Sequence, residues 1–123
     1  LVLGKCIDEA LGERVGIERF GSAYAPLDES LARCVIDFSG RPYSCVDLGF
    51  VRESLGDVAT ENITHFFESL AVSMRATLHV DLIRGKNDHH KAEAAFKALA
   101  LALRHATRIT RAGLMPSTKG TLS

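Results

Sequence analysis

The sequence predicts an α+β fold, a sheet with helices packed on one of its faces. Three observations point there. Residues 88–106 form a long run of helix-favouring side chains with no Gly, Pro or β-branched residue. Residues 60–74 place apolar side chains at helical spacing. Residues 33–38, 43–48 and 76–83 are β-rich or alternate polar with apolar side chains. The coarse order is helix tail, strand, strand, helix, strand, helix. With 123 residues, the chain fits one domain with a modest core.

Leu3, Ile7, Ala10 and Leu11 recur at helical spacing over residues 1–11, and Gly12 closes the pattern. The loop at 13–21 holds Arg14 and Arg19, and an Arg in a Gly-bounded loop is ordinarily a solvated surface group. Ala25-Pro-Leu-Asp-Glu29 reads as a turn or short connection. The runs 33–38 and 43–48 flank Ser-Gly-Arg-Pro, which predicts a hairpin with Arg41 at its turn. Residues 49–59 read as a connection with no assigned chemistry. In the helix at 60–74, Ile63, Phe66, Phe67, Leu70, Ala71 and Met74 form the core stripe, and Thr60, Glu61 and Asn62 supply capping chemistry. His65 lies opposite that stripe and is expected at the surface. In the strand at 76–83, Thr77, His79 and Asp81 share one face and Leu78, Val80 and Leu82 the other. His79 reads as a structural or surface histidine.

In the last helix Asp88 is the expected N-cap, and the helix runs for about 18 residues, roughly 27 Å. Ala92, Ala95, Phe96, Leu99, Leu103 and Ala106 form the expected apolar stripe. His89, Glu93, Lys97 and His90 follow one another along a neighbouring arc of about 100°. Glu93 lies four residues after His89 and three after His90, so it can share a metal ion with either. The two histidines themselves diverge by about 100°, so they suit two different ions better than one. One such motif has too few ligands for a complete site, and partners must come from elsewhere in the chain or from another chain. The plainer alternative is a helix start with two solvated histidines. His105, at the far end, reads as structural or surface. Beyond it, Pro116-Ser-Thr-Lys-Gly120 offers two hydroxyls, an ammonium and a close-approach Gly that suit a phosphate, although the same composition also fits an ordinary polar tail.

Composition excludes several classes of function. Fifteen basic residues balance fifteen acidic ones, which gives no electrostatic case for nucleic acid or an anionic membrane. No apolar run approaches transmembrane length, and no secretory signal pattern opens the chain. Cys6, Cys34 and Cys45 are odd in number and form no Cys-x-x-Cys pair, which argues against a disulfide framework and a cysteine zinc site. They read as reduced, mostly buried thiols.

Asn87-Asp-His-His-Lys-Ala-Glu-Ala-Ala-Phe-Lys resembles the second His-His-x-x-Glu motif of the imidazoleglycerol-phosphate dehydratases, enzymes of histidine biosynthesis. Ala10-Leu-Gly-Glu-Arg-Val-Gly-Ile-Glu-Arg-Phe-Gly21, Ala25-Pro-Leu-Asp-Glu29, Asp37-Phe-Ser-Gly-Arg-Pro-Tyr43, Glu61-Asn-Ile-Thr-His-Phe-Phe-Glu-Ser69 and Pro116-Ser-Thr-Lys-Gly120 agree in order and spacing. The resemblance implies a duplicated ββαβα-type half of the ribosomal protein S5 domain 2-like kind. Residues 1–20 would end the first repeat, and residues 21–123 would form the second with a C-terminal substrate-binding tail. It implies loss of water from D-erythro-imidazole glycerol phosphate, giving imidazole acetol phosphate through a manganese-bound imidazolate that acts as an electron sink. His65, His89, His90 and Glu93 would ligate the two manganese ions, with His90 and Glu93 also counted as catalytic. Arg19, Arg41, Lys97, Ser117, Thr118 and Lys119 would hold the anionic substrate. Metal sites would form between subunits of a 24-subunit shell, in the cytoplasm.

The sequence also departs from that family. The N-terminal half with the first His-His-x-x-Glu motif is absent, and residue 1 is Leu. The expectation is a fragment, inactive alone, with organellar targeting left open by the missing N-terminus. A competing expectation is a non-catalytic helical interaction module with merely exposed histidines. A hydrolytic zinc site on the same fold would leave Ser117, Lys119 and both arginines unexplained.

Overall fold

The computed structural model describes residues 1–110. The elements in order are α1 (Val2–Leu11), β1 (Phe20–Leu27), β2 (Ser30–Asp37), β3 (Tyr43–Asp47), β4 (Ser54–Leu55), β5 (Val58–Ala59), α2 (Thr60–Met74), β6 (Thr77–Arg84) and α3 (Asp88–Ala106). Four strands form one mixed sheet in the order β1-β2-β6-β3, and β4 with β5 makes a separate two-stranded ribbon. One face of the sheet is covered, by α3 over β1 and β2 and by α2 over β3 and β6, while α1 packs on α2. The α+β architecture expected from the sequence is therefore present.

The expected hairpin between residues 33–38 and 43–48 is not. β2 pairs with β1, Phe20 opposite Asp37 through Leu27 opposite Ser30. On its other side β2 runs antiparallel to β6. β3 pairs in parallel with β6, Tyr43 opposite Thr77 through Asp47 opposite Asp81. Thus β6 sits between the two runs, and β3, α2 and β6 form a βαβ unit, because parallel neighbours need a long crossover. The true hairpin is β1–β2, and residues 25–27, read as part of a turn or connection, belong to β1. Gly, Ala and Pro made β1 look unlike a strand, yet its position at the sheet edge tolerates Pro26. Its small residues serve packing: a Cβ on Gly21 would lie 2.1 Å from the Ala102 carbonyl oxygen of α3. Residues 49–59, read as a plain connection, include the β4–β5 ribbon.

The core lies between sheet and helices, with Ala32, Cys34, Ile36, Leu78 and Val80 facing Phe67, Met74, Ala94, Ala98 and Ala102. Along β6, Leu78 and Val80 are buried while His79 is exposed, as the alternation predicts. The helix at 60–74 has the expected bounds. Its N-cap is Ala59 without a side-chain cap, and the Thr60 hydroxyl instead donates to the carbonyls of Arg52 (2.7 Å) and Glu53 (3.2 Å). Phe66 stands partly exposed and packs edge-on against Phe67 and obliquely on Phe96 of α3.

Three further expectations are corrected. Arg14 is 1% exposed rather than solvated: it donates to Asp8 at 2.7 Å and to the carbonyls of Arg75 and Met74, with its guanidinium over the Phe38 ring. Only Cys34 of the three thiols is buried, and burial pushes it up to about 12; Cys6 and Cys45 are exposed. In α1, Leu3 and Ala10 are exposed, and the residue buried against α2 is Gly4, whose added Cβ would meet the Ser73 side chain.

Candidate metal and substrate site

The start of α3 is built by capping. Asn87, not Asp88, is the N-cap: its side chain accepts the backbone N–H groups of His89 (2.9 Å) and His90 (3.2 Å), two of the orphan donors of a helix start. Asp88 turns inward. Its Oδ2 accepts the backbone N–H groups of Val51 (2.9 Å) and Arg52 (2.7 Å), and Oδ1 lies 3.1 Å from Lys91 Nζ. Lys91 is 4% exposed and also donates to the Gly49 carbonyl at 2.7 Å. A buried ion pair thus clamps the 49–52 segment beneath the two histidines. Burial pushes the Asp88 carboxyl up, but the two amides and the Lys91 charge outweigh it and hold the group below its ordinary value.

The expected stripe of α3 is largely buried, at Ala92, Ala95, Leu99 and Ala106, and the buried face is wider than that stripe. Ala94, Ala98 and Ala102 are also fully buried and Lys91 nearly so, whereas Phe96 of the expected stripe is 39% exposed. His89, Glu93 and Lys97 are exposed and His90 is half-buried. His89 Nε2 lies 3.3 Å from Glu93 Oε1, so this i,i+4 pair shares one edge of the helix. His90 turns away, and its Nδ1 lies 2.5 Å from Glu29 Oε1 in the β1–β2 turn. That contact raises the His90 imidazole above its usual value. Glu29 is held well below the carboxylate range, first by the Ser30 hydroxyl, then by His90 and the amides of Lys86 and Asn87. Asp28 and Glu29 belong to a motif noted in the sequence but given no chemistry there. No spacing rule links them to a helix so distant in the chain.

His65 is exposed on α2, its Nε2 3.2 Å from the Ser69 hydroxyl and its Nδ1 4.0 Å from Glu68. His79 is exposed on the open sheet face beside the Tyr43 ring, and His105 Nδ1 lies 3.0 Å from the Ser22 carbonyl. Both fit the structural roles expected for them. Among the described residues, no three His, Cys, Asp or Glu side chains are grouped so as to hold a metal ion. The donor set of imidazoles and one carboxylate still fits a borderline divalent cation, as separate contributions that other ligands must complete. His65, His89 with Glu93, and His90 would be those contributions.

Arg19 leaves the loop for a constrained position. Its φ is 75°, its guanidinium grips Asp37 at 2.7 and 3.3 Å, and it lies over the Phe20 ring. Arg41 is exposed between β2 and β3. Ser117, Thr118 and Lys119 lie outside the described residues.

Comparison with known proteins gives one consistent result. The sequence pattern of the family described as imidazoleglycerol-phosphate dehydratase matches residues 1–103. Proteins of that name from Eremothecium gossypii and Saccharomyces cerevisiae are each 56% identical over 122 residues, covering 99% of this chain and 56% of theirs. The Phaffia rhodozyma protein is 58% identical, covering 99% of this chain and 60% of its own. The chain therefore spans little more than half the length of the curated relatives it matches. The crystal structure of imidazoleglycerol-phosphate dehydratase from Staphylococcus aureus superposes with a TM-score of 0.85 at 41% identity, covering 89% of this chain and 64% of that one. The Pyrococcus furiosus structure, in complex with (S)-C348, gives 0.84 at 39% identity, covering 98% and 65%. On sequence pattern, relatives and fold alike, this chain belongs to the imidazoleglycerol-phosphate dehydratase family.

Proposed function

We propose that the protein is a hydro-lyase of histidine biosynthesis that removes water from D-erythro-imidazole glycerol phosphate to give imidazole acetol phosphate. The observation that carries this reading is the family match over residues 1–103, which contains His65, His89, His90 and Glu93. In this reading those four are manganese ligands, and the ions are shared with groups outside residues 1–110. The dispersal of the four side chains on α2 and α3 supports that sharing. Each bound cation supplies positive charge that stabilises the substrate's imidazole as it gathers electrons.

The chain's own residues do the rest. His90 and Glu93 sit at the metal-facing start of α3, where Glu93 also steadies His89 across one helical turn. Arg19 and Arg41 offer planar, two-donor grips for the anionic substrate, and Lys97 adds charge along the same helix flank as Glu93. For Arg19 the Asp37 pair fixes the guanidinium in place. Ser117, Thr118 and Lys119 are assigned to the phosphate. Residues 1–20 would close a first repeat and residues 21–123 form a second. This segment alone would be inactive, and the working protein would be a 24-subunit cytoplasmic assembly. The partly exposed Phe66 and Phe96 rings, tilted against each other with centroids 5.6 Å apart between α2 and α3, support a buried contact there in the assembly.

Growth rescue tests the reading. The full-length protein should restore growth without histidine to a strain lacking its own dehydratase, and His90→Ala should fail while accumulating normally. Rescue undiminished by His90→Ala would remove these residues from the chemistry.

A further inference from the structure

His90 is held by one nitrogen and presents the other. Its Nδ1 lies 2.5 Å from Glu29 Oε1, whereas the ion-pair contact of Nε2 is Asp28 Oδ2 at 3.8 Å, beyond hydrogen-bond range. Glu29 is itself immobilised. Its second oxygen, Oε2, accepts the Ser30 hydroxyl at 2.6 Å and the backbone N–H groups of Lys86 at 2.9 Å and Asn87 at 3.1 Å. Those donors come from β2 and from the segment that caps α3, so the carboxylate joins the β1–β2 turn to the start of the helix. Saturating Oε2 leaves Oε1 to His90.

An ionised carboxylate only accepts hydrogen bonds. Its partner on a neutral imidazole must therefore be the protonated nitrogen, here Nδ1, and Nε2 carries the lone pair. A carboxylate placed behind a histidine in this way fixes ring rotation and tautomer and raises the basicity of the ligating nitrogen. His89, one residue earlier, has no carboxylate from another element behind it among the described contacts: its partner is the exposed Glu93 of its own helix, at Nε2.

We propose that Glu29 is a positioning residue for metal binding at His90, anchoring Nδ1–H so that Nε2 is the nitrogen offered to the cation. This rests on the reading of His90 as a metal ligand. Asp28, whose backbone is left-handed at φ 49°, makes the tight turn that brings Glu29 there.

Manganese binding to the full-length protein, followed as loss of the free Mn(II) paramagnetic resonance signal, tests the proposal in a two-residue cycle. The variants are Glu29→Ala, Glu29→Gln, His90→Ala and the pairs of each Glu29 variant with His90→Ala. Glu29→Ala should weaken binding by about 10- to 100-fold, the usual effect of losing a ligand's supporting carboxylate. Glu29→Gln keeps the shape and an accepting oxygen, and should weaken binding by less. In the His90→Ala background, neither Glu29 variant should have a further effect, because the anchor then has nothing to hold. Equal weakening in both backgrounds would mean that Glu29 acts only as general structural support and would overturn the proposal. So would weakening by His90→Ala without weakening by either Glu29 variant. Unchanged binding in His90→Ala alone would instead sink the metal-ligand reading on which the proposal stands. Should Glu29→Ala fail to fold, as read by circular dichroism, the Glu29→Gln arms decide by the same comparison.

Discussion

Lys91→Met removes the cation from the buried pair beneath the α3 histidines while keeping a side chain of similar length. Asp88 is fully enclosed and Lys91 nearly so, with side-chain exposures of 0% and 5%. After the substitution, Asp88 Oδ2 keeps the amides of Val51 and Arg52, but Oδ1 loses the ammonium, which is its only charged neighbour among the described contacts. The Gly49 carbonyl loses its donor as well. Stranding one member of a buried ion pair costs about 3–5 kcal/mol. The surviving amide bonds place this case toward the lower end. Asp88→Asn with Lys91→Met removes both charges and should recover part of the loss. The pH dependence has a definite sign. In the native protein the Asp88 carboxyl titrates below its ordinary value of 3.8, so its contribution is present above that pH and is lost as pH falls through the folded value. In Lys91→Met, burial pushes the lone carboxylate upward, and protonation relieves it. The deficit against wild type should therefore be largest near neutrality and shrink on acidification. Urea unfolding followed by circular dichroism at several pH values measures this. A deficit below about 1 kcal/mol at neutral pH, or one independent of pH, would refute a dry, charge-balanced pair.

Three other outcomes are expected. Gly21→Ala drives a Cβ to within 2.1 Å of the Ala102 carbonyl, and since backbone cannot swing aside, β1 and α3 must part; chemical denaturation should show a loss of about 3 kcal/mol, the upper range for overpacking. Asp8 is held below the usual carboxylate range first by Arg75 and then by Arg14, against opposing burial. Its contribution is present above its ordinary value of 3.8 and fades as pH falls through the folded value, so Asp8→Asn should flatten the acid limb of the stability profile rather than shift the alkaline one. A native-state thiol assay should leave Cys34 unreacted until denaturant is added, and prompt labelling would contradict its burial.

The helices were legible in the sequence and the sheet order was not, for a physical reason. Ile63, Phe67, Leu70, Ala71 and Met74 state α2's buried face through local spacing alone. In α3 the same logic selects the helix and most of its buried face, Ala92, Ala95, Leu99 and Ala106, but misses Ala94, Ala98 and Ala102, small residues that the close approach of β1 and α3 favours. Lys91 defeats it outright, being charged and buried only because Asp88 is buried beside it. β1 is written in Gly21, Ala23, Ala25 and Pro26, which local propensity scores against, and its identity comes from the α3 surface it must fit. The insertion of β6 between β2 and β3 is a long-range choice that no turn residue encodes. The histidines were visible as a motif, and the exposure of His65 followed from helical phase. The Glu29–His90 contact was invisible, since it joins a turn to a helix through the tertiary fold.

The most direct test is turnover of D-erythro-imidazole glycerol phosphate by the full-length protein, stripped of metal and then titrated with manganese. The expected result is imidazole acetol phosphate formed in proportion to bound manganese, with product formation lost on chelation and nearly abolished in Glu93→Gln. Folded, manganese-loaded protein that forms no product, or turnover indifferent to chelation, would contradict the assignment of His65, His89, His90 and Glu93 as the groups that hold the metal for this reaction.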